Sequence, residues 1–394
     1  MAKVFIEEET LTAIGAAIRE KEGSSELVPV NDMATRISAI ETGGGGELPE
    51  EAFLITGDCS YQFFAGRFSW LVNTHGNKLK TENITRLYYF MRDNTMITEI
   101  PFTINVNGVA SAEGAFSGMI ALKTCPRIRG TLAKPSTSFT MSSMLEKCEK
   151  VADFEDLFDS ETLGDGFNNF KVTSSSSVPK PPKFSGCHSL RRVPSWVGKF
   201  KHSSESTAAP NSNYIIYNYM FNNCYMLDEI TDYSVLSYVA PVTNNMFTYF
   251  VDNACCLKKL TFEIDSGQPK VVSWKSQTLD LSKAGVETIY GVVTKYGGIP
   301  SSKKVTDDTT YQALKNDPDW WTADVAYSRY NHDSAVETVN SLPDTSAYLA
   351  SAGGTNTIKF KGEAGSKTDG GAINTLTAEE IAVATAKGWT VTLS

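Results

Sequence analysis

The chain has 394 residues, of which 41% are hydrophobic and 21% charged, a balance that supports a sizeable core and excludes wholesale disorder. Its 36 Lys and Arg against 45 Asp and Glu leave a net charge of -9, which argues against gripping the phosphate backbone of nucleic acid. The densest basic stretch, Arg191-Arg192 through Lys199 and Lys201, is short and reads as a solvated edge, so no nucleic-acid partner is expected.

Residues 10–42 spell two short amphipathic helices. Leu11, Ile14 and Ile18 share one face of the first, with Thr10 as its N-cap; Gly23-Ser24-Ser25 ends it, and beyond Pro29 the second carries Met33, Ile37 and Ile40. Helices this small do not hold themselves together in water. Segment 1–42 is therefore predicted to anchor the chain on another protein or on copies of itself, through Leu11, Ile14, Ile18, Met33, Ile37 and Ile40. Gly43-Gly44-Gly45-Gly46 makes residues 43–53 a flexible linker. The opening Met1-Ala2-Lys3-Val4-Phe5-Ile6 turns acidic at Glu7-Glu8-Glu9 before an apolar signal core forms, so no secretory signal is expected. Nor does any run reach the roughly 18 apolar residues of a membrane span, which predicts a soluble protein made in the cytosol.

From about residue 53 a degenerate unit recurs: aromatic-x-x-Cys-x-x-Leu-x-x-aliphatic. It is clean at Phe184, Cys187, Leu190, Val193 and at Phe221, Cys224, Leu227, Ile230. Looser copies run Met91, Asn94, Ile97, Ile100; Phe116, Met119, Leu122, Cys125; Leu145, Cys148, Val151, Phe154; and Val251, Ala254, Leu257, Leu260, with one more downstream at Tyr330, Asp333, Val336, Val339. Such recurrence predicts a stack of units across 54–275, each burying its apolar face on its neighbours, with Leu122, Leu190, Leu227 and Leu257 pointing inward. The uneven spacing of the units predicts displayed insertions at 173–182 and 202–213, both rich in Ser, Pro and Asn.

Residues 276–329 form an intermediate α/β segment: strand-like Thr278-Leu279-Asp280-Leu281, a helix around 286–296, a turn at Gly297-Gly298 and a helix near 311–314. Trp320-Trp321 reads as a plug at a domain junction. Residues 330–394 are the capping region. Thr377-x-x-Glu380 is a capping box, Gly388 sits where a helix ends, and Trp389-Thr390-Val391-Thr392-Leu393 alternates like a half-buried strand.

The seven cysteines, Cys59, Cys125, Cys148, Cys187, Cys224, Cys255 and Cys256, are odd in number and contain no Cys-x-x-Cys, so neither a disulfide framework nor a zinc ribbon is indicated. Cys148, Cys187 and Cys224 share one slot of the unit and read as small apolar core residues, reduced and unliganded. His75, His188, His202 and His332 are dispersed outside any metal or nucleophile signature, and Gly43 to Gly46 and Gly370-Gly371 lack the context of a phosphate cradle. Asp307-Asp308 and Asp317-x-Asp319 read as surface turns. No enzyme activity, cofactor or metal is expected.

The unit Met220-Phe221-Asn222-Asn223-Cys224-Tyr225-Met226-Leu227-Asp228-Glu229-Ile230 resembles the BspA-type leucine-rich repeat. Leu11-Thr12-Ala13-Ile14-Gly15-Ala16-Ala17-Ile18-Arg19 with Met33-Ala34-Thr35-Arg36-Ile37 is similar to the leader of phage tail and baseplate proteins of gut bacteria, and 335–391 to the ending of prophage-encoded repeat proteins. The resemblance implies an α/β fold: an irregular leucine-rich-repeat solenoid with an N-terminal two-helix anchor and a C-terminal helix-strand cap. It implies a virion structural protein of a bacteriophage, a tail, baseplate or fibre component assembled in the host cytoplasm, with other virion proteins as partners and host-cell surface glycan or protein as the target of attachment. The alternatives are a bacterial surface adhesin, a head-decoration or head-fibre protein, and a tail-associated glycan hydrolase that would need a carboxylate pair in a cleft.

Overall fold

The computed structural model describes Gly15, Ala16 and residues 53–109, 111–133, 141, 143–163, 182–199, 218–233, 243, 245–254, 257–262, 264–265, 268–269, 271–282, 284, 330–360 and 376–393. The chain divides into two compact units, Met1–Phe53 and Leu54–Ser394. In the first, Gly15 and Ala16 are helical, Gly15 buried and Ala16 exposed. The anchoring residues Leu11, Ile14, Ile18, Met33, Ile37 and Ile40 lie outside the described residues, as does the Gly43–Gly46 joint.

The second unit opens with strand β1 (Leu54–Asp58), helix α1 (Ser69–His75), strands β2 (Lys80–Arg86), β3 (Thr103–Val109) and β4 (Arg127–Leu132), and the single-turn helix α2 (Ser160–Leu163). β1 to β4 make one parallel sheet in chain order. Parallel neighbours in chain order require the chain to circle back after every strand. Ile55, Thr81, Ile84, Ile104, Val106 and Ile128 point inward, while Lys80, Glu82, Asn105 and Asn107 face out. Isolated parallel bridges, Ile128 to Phe158 and Arg192 to Glu229, continue the pattern. Strand β5 (Glu229–Tyr233) then pairs in parallel with β6 (Lys259–Phe262), and a small antiparallel hairpin follows, β7 (Ile264–Asp265) with β8 (Gln268–Pro269).

The turns that lead out of the strands are joined in the same way. Met91 N–H donates to Ala115 O at 2.7 Å, Phe116 to Met144 O at 2.9 Å, Lys147 to Ser185 O at 2.8 Å, Phe184 to Met220 O at 2.9 Å and Phe221 to Phe250 O at 2.9 Å. These bonds align Met91, Phe116, Leu145, Phe184, Phe221 and Val251 in one column, the six positions that open the repeated unit. A further copy headed by Phe63 (Phe63 N to Phe90 O, 2.8 Å) was hidden in the sequence because Gly66 and Ser69 stand in its later slots. The column is buried throughout, as are Leu122, Leu190, Leu227 and Leu257. Each such side chain removed from water contributes on the order of 1.5–3 kcal/mol. Val193 and Cys125, the fourth positions of their copies, are only half-buried.

Two residues after each column position the backbone is left-handed: Ala65, Asp93, Gly118, Lys147, Gly186, Asn223 and Asn253 all have positive φ. Asn, Asp and Gly tolerate that conformation best, and they hold five of the seven places. Gly118 is required for space as well, since a Cβ there would stand 2.2 Å from Asp93 Oδ1 of the preceding coil.

The cysteine slot has a second property besides its small size. Cys148 Sγ lies 3.2 Å from Phe116 O, Cys187 Sγ 3.1 Å from Leu145 O and Cys224 Sγ 3.0 Å from Phe184 O. Asn94 uses its Nδ2 to reach Phe63 O at 3.1 Å, with Ser69 Oγ donating to its Oδ1 at 3.0 Å. In all four coils the slot donates to the column carbonyl of the coil before. That shared bond explains why Asn and Cys exchange in this slot, which apolar size alone does not.

Strand β9 (Thr278–Asp280) does not extend the stack. After helices α3 (His332–Ser341) and α4 (Ser346–Ala352) comes β10 (Asn356–Phe360), and after α5 (Ala378–Ala386) comes β11 (Trp389–Leu393); the three strands form a parallel sheet in the order β11-β10-β9. The intermediate segment thus contributes a strand to the C-terminal sheet. Thr338 Oγ1 donates to Leu260 O at 2.6 Å and Phe262 N–H to Ser341 Oγ at 3.2 Å, which ties α3 to β6. The copy expected at Tyr330, Asp333, Val336 and Val339 is corrected: these residues lie at and within α3, with Asp333 exposed. Asn331 caps that helix by accepting from Ser334 N–H, and a spacing of three is then a helical face. Thr377 and Glu380 form the expected capping box at the start of α5, and Gly388 has φ +83.

Candidate functional site

Two residues before five of the seven column positions lies a second left-handed site; Ser143 and Pro182, ahead of Leu145 and Phe184, do not share it. Tyr61, Tyr89, Gly114, Tyr219 and Tyr249 occupy it, with φ of 61, 53, 60, 57 and 53°. Their backbones join coil to coil: Tyr61 N–H donates to Tyr88 O, Tyr89 to Glu113 O and Tyr219 to Thr248 O, each at 3.0 Å. A tyrosine held there costs on the order of 1 kcal/mol relative to an ordinary conformation. Yet four of the five places are tyrosine. Tyr61 is 42% exposed, Tyr219 41% and Tyr249 44%, so burial does not repay the strain.

At the C-terminal ends of β1 and β2 the tyrosines gather. Tyr88 and Tyr89 stack with ring centroids 4.1 Å apart, and Tyr61 meets both edge-on at 5.5 and 5.4 Å and Phe64 at 5.6 Å. Gly114 makes room for this cluster, because a Cβ there would come within 2.5 Å of the Tyr89 ring. Two guanidinium groups cover phenol faces: Arg92 Cζ is 4.3 Å from the Tyr89 centroid and Arg86 Cζ 5.3 Å from that of Tyr88. Hydrogen bonding to the Tyr89 hydroxyl, with some desolvation and the nearby Tyr61, pushes the Tyr88 phenol well above its ordinary range, so it stays neutral. Both arginines already have carboxylate company, Asp58 at 3.9 Å from Arg86 and Asp93 at 3.3 Å from Arg92. Hydrogen bonds from Ser60 hold the Asp58 carboxyl low, which keeps it charged. The cluster is therefore rich in rings and hydroxyls but balanced in charge.

The sheet beside it carries a ladder of amides and hydroxyls. Asn107 Nδ2 donates to Asn83 Oδ1 at 3.4 Å, Thr131 Oγ1 lies 3.4 Å from Asn107 Oδ1, and Asn253 Nδ2 donates to Asn223 Oδ1 at 2.8 Å further along the stack. A second tyrosine pair, Tyr219 and Tyr249, stacks at 4.8 Å. Phe68 and Trp70, at the start of α1, are 54% and 58% exposed.

Cys148, Cys187 and Cys224 are buried, and burial pushes each thiol far up; Cys59 is raised to about 11 by burial and the charge of Asp58. His188 follows Cys187 but turns to Glu149, Nδ1 to Oε2 3.7 Å, and stacks on Tyr225 at 4.7 Å. His332 bridges Glu380 at 3.1 Å and Asp333 at 3.3 Å on the C-terminal helices. Among the described residues no group of three His, Cys, Asp or Glu is placed to hold a metal ion, and no helix is long and apolar enough to cross a membrane. Of the insertions expected at 173–182 and 202–213, only Pro182 is described, and it is buried; the rest, together with Cys255, Cys256, His202, Asp307-Asp308, Asp317, Asp319 and Trp320-Trp321, lie outside the described residues.

No protein-family model, curated protein or solved structure matches the chain. The tyrosine row leaves a signal of its own in the sequence, separate from the repeated unit. Tyr61-x-Phe63, Tyr89-x-Met91, Tyr219-x-Phe221 and Tyr249-x-Val251 each place a tyrosine two residues before the unit begins.

Proposed function

We propose that this chain is a structural protein of a phage virion, a tail, baseplate or fibre component, and that its second unit is an irregular leucine-rich-repeat solenoid of BspA type used for host attachment. One observation carries the attachment reading: four tyrosines recur at one turn position in a backbone conformation that disfavours them, and three of them, Tyr61, Tyr219 and Tyr249, are exposed. Residues kept against a conformational cost without gaining burial point to a partner surface. Tyrosine suits that role because it offers a large rigid ring and a hydroxyl at little entropy cost. Copies brought together by the residues 1–42 would turn weak single contacts into firm attachment. The likeness of those residues to phage tail leaders supports the virion setting.

The test has two arms. Gold-labelled antibody against the chain should decorate particles at one fixed structure, and purified full-length protein added in excess should slow adsorption of those particles to their host. Unlabelled particles would remove the virion setting, and adsorption unchanged at saturating protein would remove the attachment role.

A further inference from the structure

The cluster at Tyr61, Tyr88 and Tyr89 specifies more than attachment in general. We infer that it is a saccharide site: Tyr61 offers its open ring to the apolar face of a sugar, and the neighbouring phenol hydroxyls and the Asn83–Asn107–Thr131 ladder offer hydrogen bonds. The inference rests on the attachment reading and narrows it to one class of ligand at one end of the stack.

Three observations select a neutral sugar over the other occupants of an aromatic surface. The first is charge. Arg86 and Arg92 lie against the phenol rings with Asp58 and Asp93 beside them, so the site has no net positive charge with which to attract a phosphate or sulfate polymer. The second is shape. The rings meet edge-on and stacked on one another, filling the space between coils, and Gly114 lets Tyr89 settle against the next turn. Of the four rings Tyr61 alone is exposed, while Phe64, Tyr88 and Tyr89 are half-buried beneath its edges, where a protein hot spot needs a deep apolar pocket. The third is the density of neutral hydrogen-bonding groups. Tyrosine phenols are neutral at ordinary pH, and the ladder on the sheet presents amides and a hydroxyl at successive strands, about 4.8 Å apart. Rings for C–H faces and neutral donors for hydroxyls are what a saccharide can satisfy at once.

The experiment measures binding of the full-length protein to a host-envelope fraction in three states: untreated, protease-treated, and oxidised with periodate, which cleaves vicinal diols of sugars. Binding should survive protease and fall at least tenfold after periodate, and a panel of neutral oligosaccharides should compete while a polyanionic oligosaccharide of the same length should not. Tyr61→Ala should weaken envelope binding about tenfold, and Tyr61→Phe, which keeps the ring and loses one hydroxyl, by a smaller factor. An unchanged thermal melt checks that both variants fold; should Tyr61→Ala melt early, Tyr61→Phe and Asn107→Ala supply the comparison. Binding that resists periodate but not protease would overturn the saccharide inference and leave attachment standing, with a protein receptor. Steep loss of binding with added salt would overturn it in favour of an anionic polymer. Absence of binding to any envelope fraction would instead sink the attachment reading itself.

Discussion

The stack of coils from Phe63 to Phe262 and the helix-bearing region from Tyr330 to Leu393 solve the same problem in opposite ways. In the stack the described turns are held from outside, by neighbouring coils, through bonds such as Gly118 N to Glu146 O and Asn223 N to Asp252 O, both 2.8 Å. Its turns accept strained backbone at Tyr89, Asp93 and Lys147 because neighbours fix them. In the C-terminal region the elements carry their own start signals: Asn331 caps α3, and the Thr377–Glu380 box caps α5. Local signals position a helix wherever it lies. A coil without caps is positioned only by register, so a fault in register is felt by two neighbours at once.

The largest effect expected from breaking that contrast is at Leu227, fully buried between coils. Leu227→Ala should cost about 2–5 kcal/mol in urea or thermal unfolding. An unchanged melt would take Leu227 out of the core. Gly118→Ala comes next. Its Cβ would meet Asp93 Oδ1 at 2.2 Å in a left-handed turn, so a loss of about 1–3 kcal/mol is expected, partly recovered when Asp93→Gly is added. At Cys187, replacement by Ala removes both volume and the bond to Leu145 O, for about 1–2 kcal/mol, and Cys187→Ser should lose less because it still donates. Equal losses would reduce the slot to its size alone. Thr377→Ala should cost about 1 kcal/mol through the cap of α5 and leave the stack unaffected.

The smallest effect is electrostatic. Hydrogen bonds to Glu380 and Asp333 raise the His332 pKa, so its contribution is full below its ordinary value of about 6.5 and is lost as pH rises through the raised folded value. Glu380 is lowered chiefly by the Thr377 N–H, and its contribution is lost only as pH falls through that lowered value. Stability from the pair is thus greatest between about pH 4.5 and 6.5 and declines as pH rises through the raised His332 value. His332→Gln should flatten that decline; an equal pH slope in the variant would show that other groups set it.

The sequence read well where the signal was local or strictly periodic. The column from Met91 to Val251, the inward leucines and the capping box were legible because each is a spacing or a dipeptide rule. The first coil escaped because Gly66 and Ser69 replace its apolar slots, and Tyr330 to Val339 misled because helix and coil share a spacing of three. The donor role of the cysteine slot was invisible, since its acceptor lies 32 to 42 residues away in the chain. The tyrosine cluster was hidden for a similar reason. Tyr61 and Tyr88 touch only after register has brought two coils together.

That register can be measured directly. Asn223 and Asn253 hold equivalent left-handed positions of adjacent coils, with their amides bonded at 2.8 Å. Asn223→Cys with Asn253→Cys should cross-link under mild oxidation, because side chains in one column approach within the reach of a disulfide. Asn223→Cys with Asp252→Cys, one residue out of step, should not. Cross-linking of both pairs at equal rates, or of the second alone, would contradict the alignment on which the stack, its cysteine bonds and its tyrosine row all depend.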